Sequence, residues 1–292
     1  MRPVEEKPVP LENIPAYRPE YAEVDYGRLY RPDTQRLQIT WIGHATFLVQ
    51  WGGKNFLTDP IYSRCCSPVF LPNLRRRAEP GIPFEKLPKI DAVLLSHDHY
   101  DHFDRSTVRR LGPEVQYFFP VGLERIMRRM KLPHRHEADW WQTRSWKDFQ
   151  VHCVPAQHCS GRGVFDRNKR LWCGWVLEWA GKRLFFAGDT GYSKELFQGL
   201  GKRFGPLEVA LLPIGAYRPR WIMHPVHMDP REAVEVHVDI QARRSVAGHW
   251  GTFRLTDEPM AEPPLFLRAV LEEKGLPQEV FQVPPLGKTL VF

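Results

Sequence analysis

The eleven residues LLSHDHYDHFD, from Leu94 to Asp104, constrain this chain more than any other feature. They set three histidines and three aspartates directly behind an apolar run. The run "KIDAVLLS" reads as a buried strand, so the polar cluster falls where that strand ends. A solvated loop could carry such residues without function. The spacing His97-x-His99-x-Asp101-His102 points elsewhere. In extended chain, residues two apart face the same way, so His97 and His99 can share one ion. Asp101 and His102 come where the chain should turn into a helix, and neighbours there diverge toward a second ion. Imidazole nitrogen with carboxylate oxygen suits zinc, and manganese or iron less strongly.

A two-metal site needs further ligands at other strand ends on the same edge. Three residues fit: His158 after "VHCVPAQ", Asp189 after "RLFFAG" and His249 after "RRSVAG". A lone histidine would read as an ordinary core or surface residue, but a matching set at four strand ends reads as a metal centre. His134, His136, His152, His224 and His237 lack that context.

The rest of the chain reads as many strands in two groups with helices between. Leu37 to Gly43, Ala45 to Trp51 and Lys54 to Thr58 read as short strands, with Gly52-Gly53 a tight turn. Further strands are expected at Phe149 to Val154, Trp172 to Trp179, Lys182 to Phe186 and in "PLEVALLPIG". A helix is expected over Gly122 to Met130. Another should start at Asp229, with Pro230 in its first turn and Glu232 closing a capping box. The tail from Glu262 reads as one helix and an edge strand. Residues 1–36 hold six prolines and read as an extended arm over the surface. Residues 37–292 read as one continuous domain, long enough to bury a large core.

The strings "WIGHATFLV", "LTDP", "SHDHYDH", "PAQHCSGRG", "AGDTGY", "RFGPLEVALLPIGAYRPRW", "HMDPREAV" and "HWGTF" carry a resemblance. "SHDHYDH" resembles the HxHxDH motif of the metallo-β-lactamase superfamily. The whole series resembles, in order, the N-acylphosphatidylethanolamine-hydrolysing phospholipase D family. The resemblance implies an α/β fold, an αββα sandwich of two mixed sheets flanked by helices. It also implies two Zn2+ per chain: His97, His99 and His158 on one, Asp101, His102 and His249 on the other, Asp189 bridging. His227 resembles a family histidine near the substrate phosphate, where it could donate to a phosphoryl oxygen; alternatively it bonds the start of the helix. His44 would orient a ligand rather than bind metal. Asp101, Asp189 and His227 are thus the expected catalytic residues.

Two zinc ions, two aspartates and a bridging hydroxide leave a net charge of about +1, which suits an anionic phosphodiester. The expected reaction is phospholipase D-type hydrolysis by that hydroxide, giving phosphatidic acid and an N-acylethanolamine. No GxSxG nucleophile elbow is present. A lactonase or other acyl hydrolase on the same site is one alternative. A nucleic-acid-binding protein or nuclease is another, prompted by the net charge of +7. Against it, no long basic stripe with interleaved aromatics occurs, so no nucleic-acid partner is expected. The loop "PVFLPNLRRR", Pro68 to Arg77, mixes apolar and basic residues as a membrane-surface loop would, so peripheral contact with an anionic membrane is expected. Otherwise, the basic runs Arg75-Arg76-Arg77 and Arg128-Arg129-Met130-Lys131 read as solvated faces. Trp140, Trp141, Trp172 and Trp175 are candidates for an apolar channel. Five cysteines without a CxxC pair read as reduced packing residues, with Cys159, beside His158, a candidate to line the site. No apolar stretch is long enough to span a bilayer and "MRPVEEKPVP" is no signal peptide, so the default location is cytoplasmic, with the inner membrane surface a peripheral option. Oligomer formation stays open.

Overall fold

Strands β1 (Gln38–Gly43) and β2 (Thr46–Trp51) are buried along their whole length, which requires cover on both faces. The computed structural model, which describes residues 9–292, shows what covers them. β3 (Lys54–Thr58), β4 (Ala92–Leu94), β5 (Gln116–Pro120) and β6 (Arg135–Ala138) follow β1 and β2 in one sheet. A second sheet holds β7 (Thr143–Trp146), β8 (Phe149–Val154), β9 (Gly174–Trp179), β10 (Lys182–Phe186), β11 (Val209–Pro213) and β12 (Ser245–Gly248). The tail supplies not one edge strand but two. β13 (Phe281–Gln282) borders the second sheet and β14 (Thr289–Val291) the first.

Both sheets are mixed and run in the same sense: β14-β1-β2-β3-β4-β5-β6 against β13-β12-β11-β10-β9-β8-β7. Pairing is antiparallel from β14 to β3 and from β7 to β10, and parallel for the rest. Aromatic side chains fill the space between the sheets, Phe47, Trp51, Phe56, Phe149 and Trp175 among them. The helices cover the outer faces. α1 (Tyr26–Tyr30), α2 (Arg105–Leu111) and α3 (Glu124–Arg129) lie by the first sheet, where Leu29, Val108 and Met127 join one core. α4 (Lys194–Phe204), α6 (Pro230–Asp239) and α7 (Glu262–Glu273) cover the second, through Phe197, Val234 and Phe266. The short α5 (Arg220–Met223) precedes α6. The fold is the expected αββα sandwich.

The helix signal at Asp229 is realised in full: its side chain accepts from Glu232 N, and the Glu232 side chain accepts from Asp229 N. The expected arm falls partly on residues 1–8, outside the described residues. Beyond them it is not extended throughout. Asp25 caps the five-residue α1, and Leu29 is buried against the first sheet, its carbonyl accepting from Gln50. No helix among the described residues is long and apolar enough to cross a membrane.

Candidate metal centre

Parallel strands leave their carboxyl ends on one edge, and loops leaving that edge carry the polar residues. β1 ends at His44, β3 at Asp59, β4 at the His97–His102 loop, β8 at His158, β10 at Asp189 and β12 at His249. Seven imidazoles and three carboxylates meet there in four overlapping groups, the donor atoms of each group within 4.8 Å of one another. All seven expected ligand residues are among them.

One group is His97, His99 and His158: His99 Nδ1 lies 2.9 Å from His97 Nε2 and 3.3 Å from His158 Nε2. The other joins Asp101, His102 and His249 with His44. His102 Nε2 is 3.1 Å from His249 Nε2, and Asp101 Oδ2 lies 3.3 Å and 3.4 Å from these two nitrogens. Asp189 stands between the groups. Its Oδ2 is 3.0 Å from His102 Nε2, 3.1 Å from His249 Nε2 and 3.8 Å from His158 Nε2. Gly188 lets it approach: a Cβ there would come within 2.5 Å of Ser96 Cβ.

Imidazole nitrogens that face each other with both lone pairs inward repel unless a proton or a metal ion lies between them. The charges agree. His102, despite burial, is held far above the usual imidazole range by Asp189, Asp101 and Asp59, so a proton supplies the cation these carboxylates demand. Burial opposes His249 as well, yet Asp189 and Asp101 raise it to about 9. Burial would push the Asp189 carboxyl up, but His102 and His249 hold it well down. Burial also lowers His97 and His158, leaving both neutral and ready to ligate. This donor set fits a metal pair.

The ring nitrogens facing away from the cluster are tied down. His102 Nδ1 donates to Asp59 Oδ2 at 2.7 Å, His158 Nδ1 to the Val226 carbonyl at 2.8 Å, and His97 Nδ1 to Ser96 Oγ at 2.9 Å. Each bond leaves Nε2 for the cluster. Ser96 Oγ passes its own proton to Asp59 Oδ2, and Ser96 N donates to Asp59 Oδ1. Asp59 therefore orients one histidine from each group, a role that sequence reasoning missed. Its only signal was position, an aspartate closing β3 at the same edge. His44 aims Nε2 at Asp101 Oδ2, 2.9 Å away. His44 and His249 both adopt positive φ, 54° and 56°, and His249 N donates to His44 O. Strain of this kind collects at functional sites.

His227 is buried, its Nδ1 3.9 Å from Asp189 Oδ2, and burial lowers it to about 4. Its carbonyl accepts from Arg220 of α5, whose guanidinium also reaches Glu232 in α6. The four candidate channel tryptophans are dispersed in burial, with Trp141 40% exposed. Trp175 is wholly buried between the sheets, and Trp140 and Trp172 donate to the carbonyls of Trp172 and Ala156. The triplet Arg75-Arg76-Arg77 is not a uniform solvated face either. Arg76 turns inward to the Ile61 and Ser63 carbonyls and lies over Phe253. All five cysteines are free thiols.

Residues 54–250 match the family described as Beta-lactamase superfamily domain. N-acyl-phosphatidylethanolamine-hydrolyzing phospholipase D 1 of Caenorhabditis elegans is 38% identical over 251 residues, spanning 82% of this chain and 70% of its own. The mitochondrial N-acyl-phosphatidylethanolamine-hydrolyzing phospholipase D of Saccharomyces cerevisiae is 35% identical over 261 residues, 87% of this chain and 55% of its own. Among solved structures, the metallo hydrolase Igni18 of Ignicoccus hospitalis shares the fold, with a TM-score of 0.66 at 24% identity over 88% of this chain and 99% of its own.

Proposed function

This chain belongs to the β-lactamase superfamily, in the branch of the N-acyl-phosphatidylethanolamine-hydrolysing phospholipases D, and we propose that it is a dinuclear zinc phosphodiesterase of that type. Its products would be phosphatidic acid and an N-acylethanolamine. The observation that carries this reading is Asp189 Oδ2, set between two histidine groups at 3.0 to 3.8 Å. His97, His99 and His158 would hold one ion, Asp101, His102 and His249 the other, and Asp189 both. Zinc bound there supplies Lewis acidity, which activates water and polarises a phosphoryl oxygen. The chain's own residues do the rest. Asp101 and Asp189 offset most of the cationic charge and leave the centre attractive to a phosphodiester. Neutral His227 offers a ring N–H to the phosphoryl oxygen or the leaving alcohol. Asp59, Ser96 and the Val226 carbonyl fix the imidazoles in the ligating tautomer.

Elemental analysis should find close to two zinc ions per chain, and chelation should lower the melting temperature. Zinc must expel protons from His102 and His249, so its affinity should rise with pH, including through the His249 range near 9. The zinc-loaded protein should release phosphatidate from N-acylphosphatidylethanolamine vesicles faster than it opens lactones or cleaves RNA. Lactone opening without phosphatidate release would overturn the assignment.

Contact with an anionic membrane surface is proposed as well, through the loop at Pro68 to Arg77. Val69, Phe70 and Leu71 are exposed at its tip, Phe70 at 68%. Its base is joined to the loop after His249, where Arg77 N donates to Thr252 O. Phe165, 86% exposed, lies on the loop carrying His158, and Trp221, 64% exposed, lies on α5 just before His227. A bilayer docked on these tips would deliver its headgroups to the histidines. Because Arg76 is structural, the test changes Phe70→Asp and Arg75→Glu only. Binding to phosphatidylserine vesicles should fall severalfold and lose most of its salt dependence. Unchanged binding would remove the loop from this role.

A further inference from the structure

Away from the histidines, a groove of about 780 Å3 runs between the arm, α7 and the tail. None of the clustered histidines or aspartates lines it. Its volume is that of a small-molecule site.

Its floor is aromatic. Trp41 and Trp250 stack with centroids 5.4 Å apart, and Tyr17 stands edge-on to Trp250 at 6.3 Å. Leu265, Val283 and Leu290 extend this apolar surface. Arg18, Arg268 and Lys288, all exposed, contribute to the lining against Glu20 and Glu279. No ion pair among the described residues occupies the three cations, although pairs engage many other arginines here.

We infer that this groove is a second ligand site, taking an amphipathic organic anion whose apolar body lies on Trp41 and Trp250 and whose acidic head meets Arg18, Arg268 and Lys288. The apolar wall excludes a purely ionic ligand such as free phosphate, and the unpaired cations favour an acid over a neutral lipid. The site is also wired to the metal centre. Trp41 Nε1 donates to the His44 carbonyl, the same oxygen that accepts from His249 N. Trp250 directly follows His249. An occupant pressing on the indoles therefore bears on two residues of the histidine cluster.

Dodecanoate, kept below its micellar range, is the probe, followed by calorimetry on the full chain with and without chelator. Saturable one-to-one binding is expected in both states, shifted at most severalfold by chelation, because no proposed metal ligand lines the groove. Failure of the zinc reading would leave that result untouched. Arg268→Glu with Lys288→Glu changes only exposed residues, and should weaken binding about tenfold. Leu265→Glu, placing a carboxylate against the apolar body, should abolish it while the melting temperature stays near that of the parent. Three results would overturn the proposal: no saturable binding, binding lost on chelation, or binding indifferent to all three substitutions.

Discussion

Asp189→Asn is expected to fold and to lose at least about a hundredfold in turnover of a phosphodiester substrate. The asparagine keeps the size of the side chain and loses its charge. In the parent, Asp189 Oδ2 serves His102, His249 and His158 at once, at 3.0, 3.1 and 3.8 Å. His102 and His249 hold this carboxyl well down against burial, so it is ionised throughout the working range. Removing the charge leaves the paired ions under-neutralised and lowers the affinity for at least one of them. It also lets His102 and His249 give up their protons more readily, since Asp189 is the largest support for both. The measurements are zinc per chain, the thermal shift on adding zinc, and kcat/KM. If Asp189 merely capped the turn in "GDTGY", the cost would be about 1 kcal/mol of stability with activity intact. Two retained zinc ions and near-normal turnover would sink the bridging role.

How much of this was legible in the sequence follows from the physics of each signal. Strands buried on both faces, such as Thr46–Trp51 and Val209–Pro213, show as apolar runs and fall where expected. The cap at Asp229 is a local rule and holds to the residue. β6 (RHEA) and β7 (TRSW) carry polar side chains at the borders of their sheets, where one face meets water, so no run announces them. β5 ends on Pro120, a residue that demotes any strand pattern. Spacing along one loop could pair His97 with His99, but only the topology shows what reaches them from elsewhere. Tryptophan is ambiguous for the same reason: Trp175 belongs to the core between the sheets, and no local pattern separates a core indole from a channel wall. Arg76 reads as one of three surface cations until its guanidinium is seen against two carbonyls and a phenyl ring.

Asp59 shows best how a residue that touches no reactant can govern the centre. A single carboxylate accepts from His102 Nδ1 and Ser96 Oγ on Oδ2 and from Ser96 N on Oδ1, so every partner is a donor. Asparagine cannot satisfy that set, because its amide nitrogen also donates. With the nitrogen toward Ser96 N, two donors collide. With the nitrogen toward His102, the imidazole must accept at Nδ1 and carry its proton on Nε2, the atom that faces the cluster. The Ser96 hydroxyl then turns away too, and His97 Nδ1 loses its fixed acceptor. Asp59→Asn should therefore cost about ten- to a hundredfold in zinc affinity and activity, in line with losses on removing groups that orient metal ligands. Its fold should survive, since burial already disfavours the Asp59 charge and asparagine removes it. The melting temperature of the metal-free protein should hold or rise, while the increase on adding zinc shrinks. A purely structural aspartate would give the reverse, a lower melting temperature with or without zinc and full affinity in whatever remains folded. Near-normal zinc affinity in the folded variant would show that His97 and His102 keep their tautomers unaided, and the positioning role of Asp59 would fall.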